Sequence, residues 1–321
     1  MIKAIILFAI GLVMLIKGGD WFVDGATGIA HSFQVPELLI GATVVSIGTT
    51  LPEVMVSATS AVSGHGEIAY GNAIGSIICN TALIAALTIA IRPSEVNKKS
   101  LITPVCFFFG AAILYSCVAY FIGEYTRTIG IILLAIFVVY MVTLIISAVK
   151  AQPELDPNAE EIEIKPLWQY LLPLVLGAAV IAIGADLLVD NGTIIAKELG
   201  VPESVIALTF VALGTSLPEL VTAITALAKG HSSLSLGNII GANLFNLVLV
   251  SGLSITLNPF NLPTEKTIAG MNASLIIDIP VMFIVMLLMT IPAILKGRLA
   301  RWQGILLLAI YTAFVTFQFV G

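Results

Sequence analysis

The sequence predicts an all-α membrane protein of ten transmembrane helices, arranged as two inverted five-helix repeats with broken helices 2 and 7 at the centre. Three observations lead there. Of the 321 residues, 59% are hydrophobic and 10% charged, and the mean hydropathy is +1.08; a soluble globule usually has about a quarter of its residues charged. The apolar runs reach the roughly 20 residues that an α-helix needs to cross a hydrocarbon core of about 30 Å. Finally, the stretch Gly48-Thr49-Thr50-Leu51-Pro52-Glu53 returns as Gly214-Thr215-Ser216-Leu217-Pro218-Glu219.

That recurrence belongs to a longer duplication. Residues 19–80 set against 185–246, a constant offset of 166, are identical at 25 of 62 positions. The matched pairs include Asp20/Asp186, Asp24/Asp190, Pro36/Pro202, Glu37/Glu203, Thr43/Thr209, His65/His231, Gly71/Gly237, Asn72/Asn238, Gly75/Gly241 and Asn80/Asn246. Two copies at this period exclude a solenoid, whose units run about 20 to 50 residues, and fit a transporter built from homologous halves.

In chain order, spanning-length apolar segments fall at 3–30, 36–62, 68–91, 101–121 and 128–149, then at 167–196, 203–228, 233–256, 269–292 and 302–320. Between the two sets of five lies the polar stretch 150–166, with three prolines and the acids Glu154, Asp156, Glu160, Glu161 and Glu163. The expected organisation is therefore an N-terminal repeat (1–149), an acidic linker (150–166) and a C-terminal repeat (167–321). A repeat with an odd number of spans begins and ends on opposite sides of the bilayer, so the second copy enters upside down.

Lys and Arg set the orientation. The loops after spans 1, 3, 5, 7 and 9 carry nine of them, the opposite side carries four, and Lys17 lies within span 1. The positive-inside rule then puts the linker in the cytoplasm and both termini outside a cell membrane. Lys3 before an apolar run resembles a signal peptide, but the duplication starts at the end of that run, which places it in the mature fold. Net charge is −5, concentrated in the linker. No basic patch offers a nucleic-acid surface. The lipid bilayer is the expected partner, and no obligate protein partner is evident. Cys79, Cys106 and Cys117, odd in number and all in apolar runs, read as small buried hydrophobes.

Spans 1 and 6 run on through Asp20/Asp24 and Asp186/Asp190. These acids read as interfacial groups that pair with Lys17 or cap helix ends, with a second ion site as the competing reading. Spans 2 and 7 carry the costly features. An uncompensated charge near the bilayer centre costs roughly 2.5 to 3.5 kcal/mol, yet Glu53 and Glu219 are both kept. Gly48 and Pro52 give the helix reason to break, and the carbonyls thereby freed need a cavity or a ligand. Ser46, Thr49, Thr50 and Glu53 in the first copy, and Ala212, Thr215, Ser216 and Glu219 in the second, offer hard oxygen donors. Such donors suit Na⁺ and Ca²⁺, whereas zinc, copper and iron favour the His and Cys that are missing beside them. Spans 3 and 8 add Ser76, Asn80 and Asn246. Gly71/Gly75 and Gly237/Gly241 read as helix contacts, and Asp278 as a local hydrogen-bonding residue.

With these motifs, each followed after 27 residues by Asn80 or Asn246, the chain resembles the cation/Ca²⁺ antiporter superfamily and its prokaryotic sodium/calcium exchanger branch. The resemblance implies two inverted five-helix repeats, ion sites on helices 2, 3, 7 and 8, and alternating access by sliding of helices 1 and 6. It also implies the ligand set Ser46, Thr49, Thr50, Glu53, Ser76, Asn80, Ala212, Thr215, Ser216, Glu219 and Asn246, with Ser46 and Ala212 contributing carbonyls. Two positions depart from the branch. Asn246 stands where an Asp is usual, which leaves two central carboxylates, and Ala242 stands where a Ser is usual, which removes one oxygen. The expected activity is exchange of Ca²⁺ for Na⁺ as transported ions, with no cofactor and no enzymatic chemistry. Ca²⁺/H⁺ exchange, a Ca²⁺-permeable channel and an intramembrane acid-pair protease are the competing readings.

Overall fold

The computed structural model describes residues 2–150, 166–199, 214–264, 267, 268 and 270–320. Most of the 150–166 stretch, residues 203–213 of span 7 and Ala212 lie outside them. Among the described residues the chain forms α1 (Ile2–Ser32), α2 (Glu37–Thr49), α3 (Leu51–Val62), α4 (Gly66–Ile91), α5 (Lys98–Phe121) and α6 (Arg127–Lys150). The second half supplies α7 (Trp168–Glu198), α8 (Leu217–Ala228), α9 (Ser232–Leu257), α10 (Ser274–Lys296) and α11 (Arg301–Val320). Seven of these are long and apolar enough to cross a membrane, and eight when α2 and α3 count as one broken span. The protein is an all-helical membrane protein. Its only β-structure among the described residues is three two-residue antiparallel pairings: Ser94–Glu95 with Arg298–Leu299, Glu124–Tyr125 with Phe260–Asn261, and Thr267–Ile268 with Met271–Asn272.

The break between α2 and α3 falls at Thr50, with φ −84° and ψ −1°. Ser216, its equivalent in the duplication, has φ −88° and ψ +3° immediately before α8. Pro52 and Pro218 therefore sit in the first turn of a new helix, where a missing N–H costs nothing because that donor has no intrahelical partner anyway. The far ends of α3 and α8 also match. Gly64 (φ +86°) and Gly230 (φ +90°) take the left-handed conformation. The next residue reaches back five positions, His65 N–H to Ser60 O at 2.9 Å and His231 N–H to Ala226 O at 2.8 Å. Glycine at that position with that bond is the Schellman helix stop.

Two compact units are distinguished, and each takes segments from both halves of the chain: Met1–Thr49 with Thr143–Asn238, and Thr50–Val142 with Ile239–Gly321. In the first, α1 and α7, each 31 residues long, pack along one another. Glycines make the seam. A Cβ built on Gly11 would lie 2.8 Å from the Gly184 carbonyl, and one on Gly177 only 2.5 Å from the Phe22 amide and 2.8 Å from the Gly18 carbonyl. Gly25 meets Leu174 and Tyr170 in the same way. Gly11 meets Gly184, Gly18 meets Ile181 and Gly177, and Gly25 meets Leu174, so these two copies of one repeated element run antiparallel. Leu15, Phe22, Ile29, Ile40, Leu174 and Ile181 form the surrounding core.

In the second unit α4 packs on the later part of α9, residues 66–79 facing 246–257 and Thr81 facing Asn243. This pair is antiparallel as well. Tyr115 stacks on Tyr125 at 4.6 Å, and Phe245 meets Phe137 edge-on at 5.1 Å.

Two expectations are corrected. Cys79 is buried, but Cys106 and Cys117 are exposed on α5. In a spanning helix an apolar run is needed on the lipid-facing side too, so apolar surroundings in sequence do not imply burial within the protein. Among the described residues Gly71 and Gly75 make no close helix contact: a Cβ on either would meet none of them within 4 Å. Glycines four apart permit close approach without requiring it. Their counterpart Gly237 does make the contact, 2.1 Å from the Leu38 carbonyl by the same measure.

Candidate functional site

Each unit carries one motif carboxylate, and each is 0% exposed: Glu219 in the first, Glu53 in the second. In the first unit Gly41 and Gly237 let the start of α2 and the start of α9 touch backbone to backbone, which sets Asn238 against the end of α2. The Ser46 hydroxyl lies 2.9 Å from the Asn238 carbonyl, 2.8 Å from the Gly41 carbonyl and 3.3 Å from Asn238 Oδ1. The Thr49 hydroxyl donates to Asn238 Oδ1 at 3.2 Å. Both side chains are buried, as are Ser216 and Glu219 on the other side of the duplication, and Thr215 is half-buried.

In the second unit α3 packs on α4 and on the Asn246–Val250 turn of α9, and α4 packs on that turn too. Thr50, Glu53, Ser76, Asn80 and Asn246, all buried, thus lie on three mutually packed segments. Asn72 braces the arrangement, its Nδ2 donating to Ser57 Oγ at 2.8 Å and to the Glu53 carbonyl at 3.3 Å. Asn80 and Asn246 each open a π-helical turn, Asn80–Ala85 and Asn246–Val250. Such turns carry an extra residue per turn and recur at functional sites. Both amides are 0% exposed, and neither Oδ1 nor Nδ2 of either has a hydrogen-bond partner among the described residues. A buried amide left unmatched costs about 1 to 3 kcal/mol per group, so these two equivalent amides are candidates to meet an ion or a water. Among the described residues no three His, Cys, Asp or Glu side chains lie together. The chemistry on offer is neutral oxygen with one carboxylate per set, a hard-cation donor set.

Several features went unread in the sequence. Asn238 and Asn72 stood out only as identities within the duplication. The buried cluster in which Asn243 Nδ2 donates to Thr81 Oγ1 at 2.7 Å beside Met286 Sδ has no equivalent in the other half and left no signal. Asp20 and Asp24 pair with Lys229, at 3.5 and 2.7 Å, instead of Lys17, because Lys229 lies just beyond the end of α8, and α8 packs on α1. His231 Nδ1 meets Glu37 Oε1 at 2.7 Å. Asp278 accepts a hydrogen bond from Gln318 at 2.9 Å.

The model of the sodium/calcium exchanger protein family matches residues 3–146 and 169–320. The chain belongs to that family. Within the sodium/calcium exchanger family it is 34% identical to the putative antiporter CaxA of Alkalimonas amylolytica, with 100% of this chain and 99% of the relative covered. It is 30% identical to the sodium/calcium exchanger MaX1 of Methanosarcina acetivorans, with 98% of each covered. Its structure is similar to that of the sodium-calcium exchanger NCX_Mj, with a TM-score of 0.81, 31% identity and 98% of both chains covered.

Proposed function

We propose that the chain is a secondary antiporter exchanging Ca²⁺ for Na⁺ across the cell membrane by alternating access. The observation that carries this reading is the duplicated helix start, with matching backbone angles at Thr50 and Ser216 and a fully buried carboxylate three residues later in each copy. Buried acids next to broken helices in a membrane protein mark an ion path, and the family's named activity supplies the ions.

Ten spans in two inverted repeats, 1–149 and 167–321, complete the proposal. The antiparallel pairing of α1 with α7 and of α4 with α9, each pair equivalent by duplication, supports the inversion. The eleven ligands are Ser46, Thr49, Thr50, Glu53, Ser76, Asn80, Ala212, Thr215, Ser216, Glu219 and Asn246. The burial of Ser46, Thr49, Thr50, Glu53, Ser76, Asn80, Ser216, Glu219 and Asn246, and the unmatched amides of Asn80 and Asn246, support the set. The excess of Lys and Arg supports a cytoplasmic 150–166 linker and external termini. Vesicles loaded with Na⁺ and diluted into Na⁺-free buffer should take up Ca²⁺. Uptake that ignores the Na⁺ gradient and follows an imposed pH gradient would overturn Na⁺ coupling.

A further inference from the structure

Several threonines in the helices of this protein share one habit. Thr27, Thr43, Thr59 and Thr81 each donate their hydroxyl to the carbonyl four residues earlier, at 2.7 to 2.9 Å. This is the default for a helical Thr, whose Oγ1 finds that acceptor within its own turn. Thr49 departs from it. Its hydroxyl, on a residue 1% exposed, donates to Asn238 Oδ1 at 3.2 Å, 189 positions away in sequence.

We propose that Asn238 is a positioning residue for cation binding: by accepting the Thr49 proton it turns the oxygen lone pairs of that hydroxyl toward the ion. The inference rests on the reading of Thr49 as a ligand. A neutral hydroxyl binds a cation only when its hydrogen points elsewhere, because a proton facing the ion repels it. The Thr49 proton goes to Asn238 and not to a carbonyl of its own helix, which leaves the oxygen's lone pairs free for another partner. Asn238 Oδ1 is also 3.3 Å from the Ser46 hydroxyl, which has two backbone carbonyls closer at hand, so Thr49 is the group that depends on it.

The duplication explains why Asn238 is available. Its equivalent Asn72 is engaged by Ser57, at 2.8 Å, and the Glu53 carbonyl. Where the first copy has Ser57 the second has Ala223. Asn238 has no such acceptor for its Nδ2, which is buried without a partner among the described residues, so no equivalent bond turns its amide away from Thr49. Asn72 fixes backbone at Glu53, whereas Asn238 fixes a side chain of the preceding turn.

The test measures half-saturating Ca²⁺ concentration and maximal rate in vesicles. Half-saturation does not depend on how much of a variant folds, so poor expression leaves the readout intact. Asn238→Leu, which keeps the volume and removes the acceptor, should raise half-saturation about tenfold. Asn238→Asp, which restores an acceptor, should bring it back to within about threefold. Thr49→Val should raise it as much as Asn238→Leu does, and the double variant should be no worse than either single one, as expected for two groups acting through one bond. Thr49→Val without effect would remove the ligand reading and the inference with it. Thr49→Val with a raised value beside an unchanged Asn238→Leu would leave the site standing and overturn the role of Asn238. Failure of Asn238→Asp to rescue would assign Asn238 to packing alone.

Discussion

Glu53→Gln removes one carboxylate while keeping the side chain's size and its place in the first turn of α3. Glu53 and Glu219 are both 0% exposed, so water screens neither charge. In the proposed ligand set, the two positive charges of a Ca²⁺ ion are balanced by the two motif carboxylates, whereas the amides of Asn80 and Asn246 bring dipoles only. Removing one partner of a buried charge interaction costs about 3 to 5 kcal/mol. At about 1.4 kcal/mol per factor of ten, apparent Ca²⁺ affinity falls by roughly two to three and a half decades. Glu219→Gln should match it. Asn80→Ala or Asn246→Ala loses a neutral donor, about 0.5 to 1.5 kcal/mol, and so about tenfold at most. Uptake of radiolabelled Ca²⁺ by Na⁺-loaded vesicles, titrated with Ca²⁺, separates the two classes. Near-unchanged affinity in either Gln variant would show that these carboxylates do not balance the charge of the ion, and the ligand set would have to be abandoned.

Gly177→Val should destabilise strongly, because its Cβ would lie 2.5 Å from the Phe22 amide and overpacking costs about 1 to 3 kcal/mol; Gly71→Ala, with open space around it, should not lower the melting temperature of the detergent-purified protein. Lys229→Met should cost at most about 1 kcal/mol, since the Lys229 and Asp24 side chains are 27% and 61% exposed and exposed pairs contribute little; a larger drop in melting temperature would mean that Lys229 carries more than this ion pair. With Cys79, Cys106 and Cys117 replaced, a cysteine placed in 150–166 should resist an impermeant thiol reagent in intact cells while one near Gly321 reacts. The reverse labelling would invert the topology.

Helix positions were legible because membrane helices declare themselves by length. The segments expected at 101–121, 128–149 and 233–256 are α5, α6 and α9 to within about three residues at either end, a consequence of hydrocarbon thickness acting on every span alike. The break was legible too, through Gly48 and Pro52, although Pro52 begins a helix instead of interrupting one. What could not be read was which face of a helix meets protein and which meets lipid. Both demand apolar residues, so Cys106 was misassigned, and so were Gly71 and Gly75. The seam of Gly11, Gly18 and Gly25 against Gly177 and Gly184 left a trace, glycine at seven-residue spacing on both partners, but that spacing marks a contact only once the partner is known. Asn238 shows a different limit. Its role depends on a hydroxyl 189 positions away, and only a fold that brings α2 against α9 reveals it.

The duplication preserved the backbone more faithfully than the oxygen donors it displays. Thr50 and Ser216 share φ and ψ to within a few degrees, and the turns ending α3 and α8 share their glycine and their hydrogen bonds. Yet Ser46, Ser57 and Ser76 of the first copy correspond in sequence to Ala212, Ala223 and Ala242 of the second. Ser46 and Ala212 enter the proposed set alike through their carbonyls, and the Ser57 hydroxyl is taken by Asn72, so one donor hydroxyl, that of Ser76, has no counterpart in the second copy while the carboxylates are unchanged. In the proposed set, charge balance for a divalent ion therefore survives, whereas neutral coordination is one oxygen poorer on the side of the second repeat. A monovalent ion depends more on neutral oxygens than a divalent one does, because one carboxylate already matches its charge. Na⁺ binding should accordingly be governed by the hydroxyls of the first repeat. Ala242→Ser, which returns an oxygen to the second, should lower the Na⁺ concentration needed to drive exchange while leaving half-saturating Ca²⁺ nearly unchanged. Equal shifts for both ions would show that the hydroxyls do not divide the two ions in this way.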